Sequence, residues 1–175
     1  PTPSGNQKKF SQASIKTEQP TQNHHRSEVD DTLNRANNDE RILLSFDRSA
    51  VFRFSVGSDQ NTSAKGKLAF HFTNSDATFD THALNTADLR DNQWHNVAVT
   101  FKANVSGGLK YYIDGNLVYT HSGTFAPISN GSDNETPRFG YVGTGSEATS
   151  FKGSASPPNL FFGHIQSIKY FSTLN

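Results

Sequence analysis

One short stretch narrows the fold more than any other part of the chain. Leu109–Ile113 alternates apolar and polar residues, Asp114-Gly115 interrupts it, and residues 116–120 resume the alternation. Two alternating runs separated by two residues that tolerate positive φ predict a β-hairpin closed by a type I′ turn. Leu109, Tyr111 and Ile113 are expected to share a face with Val118, while Tyr112 sits across from Leu117 and near Tyr119. A hairpin alone is marginal in water and must pack within a larger sheet.

Further strands are legible around it. Trp94–Lys102 alternates, with Val97, Val99 and Phe101 facing one way and Asn96, Ala98 and Thr100 the other. Arg41–Phe46, residues 51–56 and residues 67–73 are short runs separated by Gly, Asn, Asp and Ser clusters, the pattern of consecutive strands. The run 161–171 changes phase between Ile165 and Ile168, which predicts a bulge. Residues 121–137 and 143–160 read as long loops around a short strand at 138–142.

Composition agrees with a β core. The chain has 14 Phe, 5 Tyr and one Trp among 175 residues, enough large aromatic area for one core and one domain. Sixteen basic and 16 acidic residues balance, so no basic face capable of driving phosphate binding is expected and nucleic acid is excluded as partner. No run reaches the roughly 18 apolar residues of a membrane span, and no signal peptide is visible. Without Cys there is no disulfide, thiolate metal site or Cys nucleophile. Absence of Met together with Pro1 fits either a mature chain trimmed of its initiator or a fragment of a larger secreted protein.

Residues 1–38 differ in texture. After Phe10 and Ile15 they are almost wholly polar, and such a stretch buries too little surface to offset its ordering entropy. They are expected to be an extended polar arm or linker ahead of a β-sandwich spanning 39–175. The pair His24-His25 lacks the spaced partners of a metal site.

At this point a family resemblance emerges. The block from Asp91 through Trp94 to Phe101, the run Tyr111-Tyr112-Ile113-Asp114-Gly115-Asn116-Leu117-Val118, Gly140-Tyr141-Val142-Gly143, and Phe162-Gly163-His164-Ile165 with Ile168 and Tyr170 together resemble the laminin G-like, pentraxin-like branch of the concanavalin A-like lectins. The resemblance covers about residues 40–175. It implies an all-β, two-sheet antiparallel jelly roll that often carries a rim calcium and often binds glycans or proteins. Trp94, Val97, Val99, Phe101, Ile113, Asp114 and Gly115 carry its core signature, with Trp94 buried. Family members open with one or two strands that pair with the final strand, whereas here that region is polar, so an uncovered sheet edge is expected. Similar modules occur in phage structural proteins and in secreted bacterial proteins.

The fold also hosts glycoside hydrolases, so catalysis must be judged on residues. Retaining hydrolysis needs two carboxyl groups roughly 5 Å apart, usually alternating along one strand. No Glu-x-Asp-x-Glu run exists: Glu18, Glu28, Glu40, Glu135 and Glu147 lie in the arm, at a strand start or in loops. No nucleophile-elbow pattern frames a Ser. Residues 143–148 superficially match a dinucleotide fingerprint but lack the following helix and read as a glycine-rich turn. Sequons at Asn61, Asn104, Asn130 and Asn134 are no more than this composition yields by chance. No catalytic residue is therefore expected.

Binding residues are sought in loops. Calcium takes six to eight oxygens, and Asp76 with Asp80, and Asp133 with Glu135, are the acidic pairs that could contribute them, against the alternative of ordinary solvated turns. Phe79, Phe125 and Tyr141, flanked by His82 and Asn130, are candidates for stacking on a sugar, although each could equally cover the sandwich edge. Apart from calcium no cofactor is implied. The expected function is a non-catalytic structural or adhesion module, displayed at a virion surface or outside the cell as part of an oligomeric assembly. Residues 1–38 would dock on neighbouring subunits, with surface glycans as ligands and no membrane partner. The alternative is a carbohydrate-binding module of a secreted bacterial protein.

Overall fold

In a computed structural model, residues 8–17, 40–46, 52–58, 61–74, 77–129, 140–143, 161 and 163–171 are described. They form β1 (Lys8–Thr17), β2 (Arg41–Phe46), β3 (Phe52–Val56), β4 (Leu68–Thr73), β5 (Thr78–His82), β6 (Trp94–Lys102), β7 (Leu109–Ile113), β8 (Asn116–His121), β9 (Gly140–Val142) and β10 (Gly163–Phe171). These make two five-stranded antiparallel sheets. Sheet A runs β10-β1-β6-β7-β8 and sheet B runs β5-β4-β3-β2-β9. The expected all-β, two-sheet jelly-roll architecture is thus observed.

The hairpin forms as expected. Asp114 and Gly115 take φ of 51° and 79°, and Ile113 pairs with Asn116 and Tyr112 with Leu117. The register then shifts, so Tyr119 rather than Val118 stands opposite Tyr111, and Val118 occupies the bulge. The phase change in β10 is likewise a bulge. Ser14 pairs with Ser167 and Ile15 with Ile165, which leaves Gln166 as the extra residue.

The largest departure from the sequence reading lies at the N-terminus. Residues 8–17, expected to have no fold of their own, form β1 in the interior of sheet A, paired along one side with β6 and along the other with β10. The sandwich therefore begins at Lys8 rather than at 39, and β1 is the early strand that pairs with the final one. Its inward residues are Ser11, Ala13, Ile15 and Thr17, each no more than 4% exposed. Only Ala13 and Ile15 among them are apolar, too few to register as a hydrophobic run, yet both join the core cluster. The Thr17 hydroxyl donates to the carbonyl of Leu89, so its burial is not left uncompensated. Residues 1–7 and 18–39 lie outside the described residues.

The core between the sheets is aromatic. Phe72 meets Phe101 at 5.1 Å and 62°, and Phe70 lies 5.4 Å from Phe72. The fully buried Tyr111 of sheet A reaches across the core, its hydroxyl 2.6 Å from Thr81 Oγ1 of β5 and donating to the Thr81 carbonyl at 3.0 Å. Burial pushes the phenol pKa upward. This polar clasp joins β7 of sheet A to β5 of sheet B across the core.

A second clasp holds the hairpin turn from outside. His95 Nδ1 lies 2.9 Å from Asp114 Oδ2, and its Nε2 lies 3.1 Å from Asp91 Oδ1. Partial burial alone would lower the imidazole pKa, but the hydrogen bonds to Asp114 and Asp91 and the charges of both carboxylates outweigh it, so the pKa is raised. Only the doubly protonated ring can donate to both carboxylates at once.

Two outcomes test these features. Ile15→Ala is expected to cost about 2–5 kcal/mol in urea unfolding, and removal of residues 1–17 to abolish the cooperative transition. A truncated chain that unfolds like the full one would return β1 to the status of an appendage. The raised His95 pKa predicts a contribution complete below about pH 6.5 that fades as pH rises through the folded value. Thermal melts of wild type and His95→Gln should therefore converge as pH increases from 6 to 8, and a gap independent of pH would contradict the clasp.

Candidate functional site

The two sheets present very different outer faces. On sheet B the register aligns Tyr141 (β9), Ser45 (β2), Arg53 (β3), His71 (β4) and Asp80 (β5) in one row across all five strands. The adjacent row holds Ile42, Ser55, Ala69 and His82. Strand alternation puts these residues opposite the Phe52, Phe54, Phe70 and Phe72 side chains of the core.

Most of this polar row is closed off. Ser45 and Ser55 have no exposure, and Arg53 and Ala69 very little. Arg53 Nε meets Glu40 Oε1 at 3.1 Å with both side chains buried. A buried pair of this kind is tolerated because each charge answers the other, and losing either partner strands a charge. Asp80 accepts from Ser58 Oγ at 2.7 Å, lies 2.9 Å from His82 Nε2, and has His71 Nδ1 at 3.9 Å. Burial would raise its pKa, but the hydrogen bonds from His82 and Ser58 and the charges of His82 and His71 lower it below the ordinary carboxylate value.

This arrangement gives several of the sequence candidates their positions. The structure brings Tyr141, Asp80 and His82 onto one face, with Asp80 and His82 in direct contact. Among the described residues the neighbours of Asp80 are two imidazoles and a hydroxyl, whereas calcium takes a shell of six to eight oxygens. Among the described residues no group of three or more His, Cys, Asp or Glu could hold a metal ion. Asp76, Asp133, Glu135 and Asn130 lie outside the described residues.

Phe125 and Phe79 are not free platforms. Phe125 is 7% exposed and meets Phe72 at 5.1 Å, Phe79 at 5.0 Å and His121 at 5.0 Å, while Phe79 stacks on Phe72 at 5.3 Å. Both rings seal one end of the core. Apolar area that sequence patterning assigned to a loop is withdrawn from water by a neighbouring strand.

Trp94 corrects the sequence reading in the opposite direction. Expected in the core, it is 49% exposed on the outer face of sheet A. The cause is strand phase. Val97, Val99 and Phe101 face inward, so Trp94 shares the side of Asn96, Ala98 and Thr100. The alternation in the sequence held this signal, and the habit of burying tryptophan masked it. Of the other signature residues, Val97, Val99, Phe101 and Ile113 are buried, whereas Asp114 and Gly115 form the exposed turn.

Around Trp94 the outer face of sheet A is open and ordered by register. Lys16 pairs with Trp94 on one side and with His164 on the other, and the Trp94 and His164 rings are 6.3 Å apart at 38°. One step along, Gln12 Nε2 donates to Asn96 Oδ1 at 2.7 Å. Farther along, Tyr112 is half-buried, and Leu117 and Phe171 are 52% and 40% exposed. An exposed indole beside amide, imidazole and ammonium groups offers an apolar ring face and hydrogen-bonding groups within one surface.

Comparison with known proteins places the fold. A search of curated protein sequences finds no match. Among solved structures, the chain is similar to mouse laminin alpha1 chain domains LG4-5, with a TM-score of 0.54 and 13% identity over 97% of this chain and 36% of that one. Beta-agarase B from Zobellia galactanivorans aligns with a TM-score of 0.33 and 18% identity over 66% of this chain and 39% of that one. The chain thus spans well under half the length of these structures, and the laminin likeness speaks to fold alone. The family model described as the concanavalin A-like lectin/glucanases superfamily matches residues 28–156, the greater part of the chain. It excludes β1 and β10, the two strands whose pairing the tertiary structure supplies. On this match the chain belongs to the laminin G-like family of the concanavalin A-like lectin/glucanases superfamily.

Proposed function

We propose that this chain is a non-catalytic carbohydrate-binding module whose ligand docks on the outer face of sheet A. The observation that carries the reading is Trp94, a large indole held half-exposed on a regular sheet surface. Leaving such area in water has a cost that burying it inside the core would have avoided. A pyranose ring covers an indole face with its C–H groups, while its hydroxyls reach side chains such as Asn96, Gln12 and His164. Sheet B's outer face offers less, since its polar row is mostly buried and its charges are already matched.

The absence of catalysis is part of the proposal. Glu40 is committed to a buried pair with Arg53, and Asp80 is held as a carboxylate by Ser58 and two imidazoles. Neither suits a general acid, which needs a raised pKa and access to substrate. Display on a larger assembly, such as a virion surface, is compatible with a binding module. Docking of the N-terminal segment on neighbouring subunits gains no support from residues 8–17, because both edges of β1 are paired within the chain.

Trp94 is the single tryptophan, so its fluorescence reports directly on the site. Titration with a panel of soluble polysaccharides should shift the emission with at least one of them. Trp94→Ala should weaken retention of that ligand in affinity electrophoresis about fivefold, the equivalent of ~1 kcal/mol for one aromatic contact, with the unfolding transition retained. Emission unmoved by every polysaccharide, or retention unchanged by the substitution, would refute the reading.

A further inference from the structure

A net charge of zero conceals a strong segregation. None of the 16 acidic residues lies in the five strands of sheet A, which contain Lys8, Lys9, Lys16, Lys102, Lys110 and Lys169, six of the nine lysines. The balanced composition had argued against any basic face. Folding creates one by collecting strands that are far apart in the chain.

The lysines are also placed to act together. Lys16 shares the Trp94 row, Lys169 pairs with Gln12, and Lys110 pairs with Thr100, so all three stand on the outer face opposite the core. Lys102 follows in the same phase of β6 as Trp94. None of these four lysines makes an ion pair among the described residues. Two carboxylates beside the ends of sheet A strands, Asp91 and Asp114, are engaged with His95. From Lys16 to the Gln12–Lys169 row is four residues along β1, about 13 Å at ~3.3 Å per residue. That exceeds the Debye length of about 8 Å at physiological salt. A small anion beside Lys16 would feel that lysine alone, whereas an extended polyanion could also reach the lysines farther along the sheet, where Lys102 stands opposite Lys8 and diagonal to Lys110.

Building on the carbohydrate-binding reading, we infer that the ligand of sheet A is an anionic polysaccharide, its pyranose rings on Trp94 and its carboxylate or sulfate groups on the lysine array. A polysaccharide fits better than a nucleic acid. The strands of sheet A contain no Arg, which supplies the bidentate fork for phosphate. The amides of Gln12 and Asn96 suit sugar hydroxyls.

The test uses the full chain with alginate for carboxylate, dextran sulfate for sulfate, neutral dextran, and a single-stranded oligothymidylate. Binding is followed by Trp94 fluorescence and affinity electrophoresis between 50 and 300 mM salt. Wild type should bind one or both acidic polymers more tightly than dextran, with affinity falling as salt rises. Lys102→Gln/Lys110→Gln/Lys169→Gln should lose on the order of tenfold at low salt and show a shallower salt dependence, with its melting transition retained. Whichever acidic polymer responds identifies the anionic group. Dextran bound as tightly as the acidic polymers, or a triple variant indistinguishable from wild type, would overturn the anionic assignment while leaving the carbohydrate module standing. Binding to no polysaccharide would remove both, and oligothymidylate bound as tightly as the acidic polymers would overturn the choice of a polysaccharide.

Discussion

Sheet A depends on a strand that looks unable to support it. β1 lies between β6 and β10, and its backbone groups supply the pairing that β10 has with the rest of the fold. In an antiparallel sheet an interior strand saturates its hydrogen bonds on both sides, so removing it exposes two edges. Inside the sandwich, Ala13 and Ile15 join the same core cluster as Val97, Tyr111 and Phe54. Cohesion of the sheet therefore comes from shared backbone pairing together with a modest strip of small side chains, with no long apolar run in β1 itself.

That arrangement also shapes the surface. With β1 inserted, Lys16 and Gln12 come to lie between β6 and β10, Lys16 beside Trp94 and His164 and Gln12 beside Ala98 and Lys169. Sheet B reached the opposite outcome on its outer face. There Arg53 and Glu40, and Asp80 with its histidines, satisfy one another and are largely withdrawn from water. Buried polar groups must find partners within the protein, while exposed ones keep theirs available to solvent or ligand. The difference between a matched, closed face and an unmatched, open one locates the candidate site.

Much of the sandwich could be read in advance. The Asp114-Gly115 turn, the alternation of β6 and the bulge in β10 all follow from backbone constraints that act over a few residues, and the structure shows each of them. The site was less legible. Phe79 and Phe125 look like loop aromatics, but Phe79 belongs to β5 and packs on Phe72 of the neighbouring β4, while Phe125 reaches the same Phe72 from a segment distant in sequence. The position of Trp94 is legible in its strand phase, which places it with Asn96, Ala98 and Thr100 and overrides the general preference of tryptophan for interiors.

The sequence by itself determined the elements whose signals are local: period-two strands, a turn requiring positive φ, an aromatic composition suited to a sandwich core, and the family to which these patterns belong. Only the tertiary structure decided that a polar N-terminal segment completes a sheet, that lysines scattered along a neutral chain gather on one face, and that the lone tryptophan stands outside. Each of those outcomes depends on which strands become neighbours. Pairing partners separated by up to 161 positions, such as Phe10 and Phe171, leave no trace in the pattern of either strand alone.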